Sequence, residues 1–343
     1  MKKIKVGDFE IGGNKCFIIA DVGSNHCQDI NLAKESIDAV AEAGANAVKF
    51  QSIQLEKMYK NPDLETAEFV RQLEFPEEWH NELNEYAKTK NIIFFSSPTY
   101  IEAIDLLEEI NVPIYKIASA QIGTFPQLVE KVARLNKPTI FSTGISDLKN
   151  TEKAIDIFEK AGNKKYMILH CNSIYPTPAI KVNMPLMNFY NEKYNVPVGF
   201  SDHTNGTHIS LNAVSKGAKI IEKHFTLNRA FEAPDSNSFA SDPKELNLLV
   251  KQIREVESSN IPLNQRSEIE PEEKKFKESI LYKLIAKRDL KSGEKVRLDD
   301  VSFLRNKGGI DCRDFFKVNN LAEMKTDVLK GEVIPELALS LKY

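Results

Sequence analysis

Cysteine is scarce in this chain: four in 343 residues, Cys16, Cys27, Cys171 and Cys312, far apart and without a CxxC pair. That spacing argues against a disulfide framework and fits free thiols in a reducing compartment. A basic excess is also lacking. Lys and Arg number 46 against 49 Asp and Glu, a net charge of −3, which argues against a nucleic-acid surface or a polybasic membrane anchor. No apolar run approaches the ~18 residues that span a bilayer. The two lysines of MKKIKVGDFE have no apolar segment after them, so no signal peptide is read there. No GxGxxG follows the first apolar run, which removes the usual mark of a dinucleotide-binding sheet. What is left, 42% hydrophobic and 28% charged, reads as a soluble, cytoplasmic protein with one large domain and a small one.

Short β-branched and aromatic runs predict strands at Phe17–Val22, Ala47–Gln51, Ile92–Ser97, Ile114–Ser119, Thr139–Thr143, Tyr166–Cys171, Val198–Asp202 and Lys219–Thr226. They are near-continuous apolar runs, as parallel strands covered on both faces require. Helical patterns fill the gaps. One carries Leu32, Ala33, Ile37, Val40 and Ala41 and ends at Gly44; another starts at Asp242-Pro243 and carries Leu246, Leu249, Val250 and Ile253. Eight strand–helix alternations over about 255 residues predict an α/β fold, a (β/α)8 TIM barrel, in preference to a doubly wound sheet. The barrel domain is placed at 1–256. A polar stretch at 257–278 reads as a linker with a charged helical turn. Residues 279–343 read as a small β-rich module with hairpin turns at KSGE (291–294) and LKGE (329–332), which leans on another surface.

Chemistry in such a barrel sits at the C-terminal ends of the strands. Polar residues gather there: Asp21, Ser24, Asn25 and His26 after the first strand, Lys49 and Gln51 on the second, Ser96 and Ser97 on the third. Lys116, Ser119 and Gln121 follow on the fourth, and Ser142 and Thr143 on the fifth. The sixth gives His170, Cys171, Asn172, Ser173 and Tyr175. The last two give Ser201, Asp202, His203, Glu222 and His224. Lys49 and Lys116 lie inside apolar strands, where an unpaired ammonium is costly. A bound anion, hydrogen-bonded by Ser97, Ser119, Ser142 and Ser201, would compensate them; the plainer alternative is that each lysine snorkels or pairs with a carboxylate. His203 and His224 end neighbouring strands and could share a metal ion, or serve as hydrogen-bonded core residues. His80, beside Trp79, reads as structural.

The ordered motifs FIIADVGSNHCQD, AVKFQ, FSSP, YKIAS, STGI, HCNSIYPTP, VGFSDHT and IEKHFT resemble the sialic acid synthase family, whose members include N-acetylneuraminate, legionaminate and pseudaminate synthases. The C-terminal segment resembles that family's antifreeze-like (SAF) domain. The resemblance implies condensation of phosphoenolpyruvate (PEP) with the open-chain aldehyde of an N-acetylated hexosamine. The products would be phosphate and a nine-carbon 2-keto acid for surface glycans. It implies that Lys49, Ser97, Lys116, Ser119, Ser142, Ser173 and Ser201 bind PEP and that His203 and His224 hold Mn²⁺ or Mg²⁺ as a Lewis acid. It makes Gln51, Tyr175 and Asp235 sugar contacts and Asp21, Gln121, Lys116 and Glu222 the catalytic set. Arg305 would reach into the partner subunit's barrel in a domain-swapped homodimer.

The sequence also departs from the family pattern. Asp21 stands where Glu is usual, and Gln121 where an acidic residue is expected; an amide orients a group but moves no proton near neutral pH. Asn172 replaces a Thr, Asn306 a Pro, and YKLIAK (282–287) lacks an arginine; the loop from Met58 to Phe75 is short. The PEP half of the site is thus the expected one and the acceptor half altered. Alternatives follow: a member with an unusual aldehyde acceptor, a PEP-binding barrel with lost or altered catalysis, or a metal-dependent aldolase or hydrolase that releases no phosphate from PEP.

Overall fold

The computed structural model describes residues 2–231, 233–261, 268–319 and 321–341. The chain divides into two compact units at Ile261. The first opens with an antiparallel hairpin, β1 (Ile4–Val6) and β2 (Phe9–Ile11), that the sequence reading did not foresee. Its Ile4, Val6 and Ile11 join the barrel core.

Eight parallel strands follow: β3 (Phe17–Gly23), β4 (Ala47–Ser52), β5 (Ile93–Pro98), β6 (Tyr115–Ile117), β7 (Thr139–Ser142), β8 (Tyr166–Cys171), β9 (Val198–Asp202) and β10 (Ile220–His224). Their order, β5-β4-β3-β10-β9-β8-β7-β6, puts the first and last members side by side without ladder bonds, a nearly closed barrel. Every residue of β3, β7, β8, β9 and β10 is buried, because helices cover the outer face and side chains fill the inner one. Phe17, Phe50, Phe95, Phe141 and Phe200 are fully buried, each contributing roughly 1.5–3 kcal/mol. Strand β6 is shorter than expected. It stops at Ile117, and Ser119–Ile122 forms a helical turn, so Ser119 and Gln121 stand on that turn and not on a strand end.

Register sets the site. In β3, Asp21 lies opposite Lys49 on one side and His224 on the other, while Glu222 faces Ser201 across β9 and β10. Gly199 permits the β9–β10 approach: a Cβ there would lie 2.1 Å from the Ile220 carbonyl oxygen. The last barrel helix, Pro243–Ser259, begins with a capping box between Asp242 and Glu245. It runs past the expected boundary at residue 256, since Val256 packs on the core and Glu257 accepts the Cys16 amide. Of the stretch expected as linker, residues 262–267 lie outside the described residues, and Pro271–Ser279 is a helix with no buried residue.

In the second unit, β11 (Tyr282–Ala286) pairs antiparallel with β12 (Val301–Arg305), and β13 (Ala322–Met324) with β14 (Leu339–Leu341). The KSGE and LKGE turns each lie in the connection between two antiparallel partners, closed by Glu294 N–H to the Lys291 oxygen and Glu332 N–H to the Leu329 oxygen. They belong to two similar segments, DLKSGE (289–294) and DVLKGE (327–332), that meet through a Leu290–Val328 bridge. Leu284, Leu290, Val296, Ile310 and Ile334 form this unit's own core.

Candidate active site

At the C-terminal ends of the barrel strands lies a cavity of about 640 Å³ whose floor holds Asp21, Lys49, Lys116 and Glu222. The Lys49 ammonium is 2.7 Å from Asp21 Oδ2 and 4.0 Å from Glu222 Oε2. Lys116 donates to Glu222 Oε1 at 3.0 Å, reaching across the barrel from β6 to β10, and the Ser201 hydroxyl donates to the same oxygen at 2.8 Å. The two lysines therefore have protein counter-charges, the carboxylate pairing that the sequence offered as the plainer alternative. Burial favours the neutral forms, but the neighbouring opposite charges outweigh it. The Glu222 carboxyl is lowered to about 2, chiefly by Lys116 and Lys49, and the Lys49 ammonium is raised by Asp21 and Glu222. The four formal charges cancel, and the cavity stays open above them.

Several buried polar atoms at or beside this floor have no hydrogen-bond partner in the protein: Ser97 Oγ, Ser142 Oγ, Gln121 Oε1, His224 Nδ1 and Glu222 Oε2, whose one neighbour of opposite charge is Lys49 at 4.0 Å. An unsatisfied buried group costs roughly 1–3 kcal/mol, so such a cluster reads as a ligand's counterpart. Ser97, Ser119 and Ser173 face the cavity; Ser142 and Ser201 do not line it, and the Ser201 hydroxyl is engaged by Glu222. Gly144 shapes the serine side. Its amide donates to Ser119 Oγ at 3.0 Å, and a Cβ there would lie 2.2 Å from Ser173 Oγ and 2.5 Å from Ser119 Oγ. Gly144→Ala must push both hydroxyls aside, and calorimetry is expected to show PEP binding weakened about tenfold or more. Unchanged affinity would remove these serines from the anion site.

His203 and His224 stand with ring centroids 5.2 Å apart. A carbonyl only accepts, so the 2.7 Å contact from His203 Nδ1 to the Asn172 oxygen puts the proton on Nδ1 and leaves Nε2 a lone pair. His224 Nε2 is 3.7 Å from Asp21 Oδ2. Among the described residues no group of three His, Cys, Asp or Glu side chains is placed to hold a metal. Two imidazoles suit an ion that draws its other ligands from water or substrate. Tyr175 lies over His203 at 4.2 Å between centroids, and Phe239 packs on His224 at 5.2 Å. Gln51, Gln121, Tyr175 and Asp235 all line the cavity, and Asp235 accepts the Ser24 hydroxyl at 3.3 Å. Arg305 belongs to the second unit, where its guanidinium lies 5.5 Å from the Tyr282 ring centre. The sequence reading missed two walls. Pro234, Asn237 and Phe239 come from the loop after β10, and Ile53, Met58 and Phe69 from the segment after β4.

Not every polar residue near a strand end faces inward. Ser96 bonds to Ser52, which bonds to His80; His170 Nε2 meets the Val182 oxygen; Asp202 accepts the Ser210 hydroxyl and Thr204 amide. His26 is enclosed by Phe50, Phe75 and Trp79, and burial lowers its pKa from 6.5 to about 4. The unfolded chain takes up this proton near 6.5 while the folded chain refuses it until about 4. Stability is therefore lost as pH falls through that window, by about 3 kcal/mol in all. In urea denaturation, His26→Leu is expected to shrink the drop by about that amount; an unchanged drop would mean that His26 titrates normally.

A parallel barrel with paired lysines, hydroxyls and imidazoles at its strand ends defines an enzyme site for a small anionic substrate. The chain belongs to the NeuB family, whose pattern matches residues 36–261. It is 38% identical over 316 residues to the N,N'-diacetyllegionaminic acid synthase of Campylobacter jejuni, covering 87% of this chain and 92% of that one. It is 33% identical to a pseudaminic acid synthase of the same species, over 97% and 99% of the two chains. The crystal structure of N-acetylneuraminic acid synthetase from Leptospira borgpetersenii, in complex with citrate, superposes with a TM-score of 0.73 at 36% identity, over 81% of this chain and 97% of that one.

Proposed function

We propose that this protein joins PEP to the open-chain aldehyde of an N-acetylated hexosamine, giving a nonulosonic acid and phosphate. The observation that carries this reading is one cavity holding both the lysine–serine floor and the two-histidine pair. PEP brings negative charge to a floor whose protein charges cancel, so Lys49 and Lys116 turn partly to the phosphate and carboxylate. Glu222, relieved of its strongest attraction, gains proton affinity, and its free Oε2 is the carboxylate oxygen that the amide of Gln121 does not supply. The PEP methylene forms the new C–C bond with the aldehyde carbon, leaving an oxocarbenium centre at C2 and an alkoxide on the former aldehyde. Water adds to C2 and gives one proton to Glu222, which is passed to the alkoxide; the remaining C2 hydroxyl gives its proton to the phosphate as the C2–O bond breaks, the ketone forms and phosphate leaves against the lysines. His203 and His224 would hold a divalent ion, Mn²⁺ or Mg²⁺, which supplies Lewis-acid polarisation of the aldehyde oxygen. Gln51, Tyr175 and Asp235 orient the sugar. The working form on this reading is a homodimer in which Arg305 serves the barrel of the second copy.

In water enriched in oxygen-18, phosphate release that needs both PEP and the sugar should leave the phosphate unlabelled and give a nine-carbon 2-keto acid by mass spectrometry. Labelled phosphate means P–O cleavage, and release without the sugar means hydrolysis; either overturns the reading.

A further inference from the structure

Behind the two imidazoles, on the outer face of the barrel sheet, lies a charged pair that the condensation does not use. Glu222 and His224 line the cavity, so alternation turns Lys223, between them, outward toward the covering helices. Lys223 is 1% exposed, and its Nζ is 3.3 Å from Oδ2 of Asp202, its register partner on β9. An apolar side chain of similar size is easier to bury than an ammonium and its counter-charge. The bonds of the pair show what the charges do there. Asp202 Oδ1 accepts the Thr204 amide at 2.8 Å, an Asx turn with His203 at its centre. Lys223 Nζ donates to the Thr204 carbonyl oxygen, and the Ser210 hydroxyl, from the helix His208–Ser215, donates to Asp202 Oδ2 at 2.6 Å. The β9–β10 ladder ends at Lys223 and Asp202, so His203 stands one residue beyond it. These side-chain bonds carry the register into the turn. Lys223 is thus the chain neighbour of one imidazole and grips the residues on both sides of the other.

We propose that Lys223 and Asp202 are positioning residues that fix the 5.2 Å spacing of the His203 and His224 rings and so preorganise the two imidazoles for a divalent ion. The inference rests on the proposed assignment of these histidines to Mn²⁺ or Mg²⁺. An ion held by two side chains is sensitive to their mutual placement, because a ring that must first be ordered costs affinity. Without the pair, the turn at His203 is free to rotate away from the strand that carries His224. The lysine–serine floor stands on β4, β5 and β6, so its binding of an anion does not depend on this turn.

The test combines Lys223→Met with Asp202→Asn. The double variant removes both charges together and leaves the asparagine an oxygen for the Thr204 amide, so it should fold. Ser210→Ala, which deletes one bond to Asp202, is the milder second variant and carries the comparison if the first does not fold. Calorimetry with manganese chloride on the full chain is expected to show Mn²⁺ affinity lowered about tenfold or more in the double variant and about two- to threefold in Ser210→Ala. PEP affinity measured without metal should stay within about twofold of the parent. Turnover of the double variant should be low at limiting Mn²⁺ and recover as Mn²⁺ is raised. Mn²⁺ affinity equal to that of the parent, or Mn²⁺ and PEP affinities that fall together, overturns the inference and leaves the condensation standing. If the parent itself binds no Mn²⁺, the metal assignment fails instead, and nitrogen-15 NMR of the metal-free protein reads the positioning directly. The His203 Nδ1 proton, bonded to the Asn172 oxygen, should exchange slowly in the parent and lose that protection in the variants. Protection kept unchanged would show that the pair does not hold the ring.

Discussion

Glu222→Gln is expected to destabilise the ligand-free protein by about 3–5 kcal/mol, because it leaves two buried ammonium groups with one carboxylate between them. Lys116 and Lys49 both turn to this side chain, at 3.0 and 4.0 Å, and only Lys49 has a second partner, in Asp21. The loss should be partly reversed by PEP, whose anionic groups replace the missing charge. The gain in urea midpoint on adding PEP is therefore expected to be larger in the variant than in the unaltered enzyme. A pH series gives an independent check. The Glu222 carboxyl titrates at about 2 when folded against an ordinary 4.5, so its stabilisation is present above 4.5 and lost as pH falls through about 2. That component of acid unfolding should vanish in the variant. A variant as stable as the parent, with no extra response to PEP, would show that the lysines need no counter-charge from Glu222.

The barrel was legible because its strands are covered on both faces and so read as unbroken apolar runs, which no surface strand would do. The site was legible to the extent that Lys49, Lys116, His203 and His224 are polar residues inside such runs. The lysines' partners were not. Lys116 and Glu222 are 106 residues apart, and only closure of the sheet brings β6 and β10 to face one another. Alternation explains the residues grouped wrongly: of Ser96 and Ser97, one must point outward, and it is Ser96 that meets Ser52. The cavity wall after β4 was invisible for a different reason. Residues 58–75 read as a short loop, and the helix Leu64–Leu73 that holds Phe69 at the cavity was not foreseen. The turns at 291–294 and 329–332 were legible, and each lies in the connection between two antiparallel partners, β11 and β12 or β13 and β14; the pairings escaped because those connections are too long for a tight hairpin to set the register.

Lys116→Met is expected to lower kcat by about 10²–10³-fold, since on the proposed mechanism the ammonium removed stabilises charge on the departing phosphate. Stability alone cannot separate that role from a structural one, because the change also frees Glu222 Oε1 from its 3.0 Å partner. The double variant Lys116→Met with Glu222→Leu separates them. Replacing both members of a buried ion pair by apolar groups of similar volume is often neutral or stabilising, whereas removing one is costly. The double variant should thus recover much of the stability lost in Glu222→Gln, with Lys49 still paired to Asp21 at 2.7 Å. Its turnover should stay as low as that of Lys116→Met or lower. A double variant that regained both stability and rate would mean that the pair serves the fold and not the phosphate. Recovered stability without recovered rate would assign the pair, the Lys116 ammonium and the Glu222 carboxylate together, to the reaction and not to the fold.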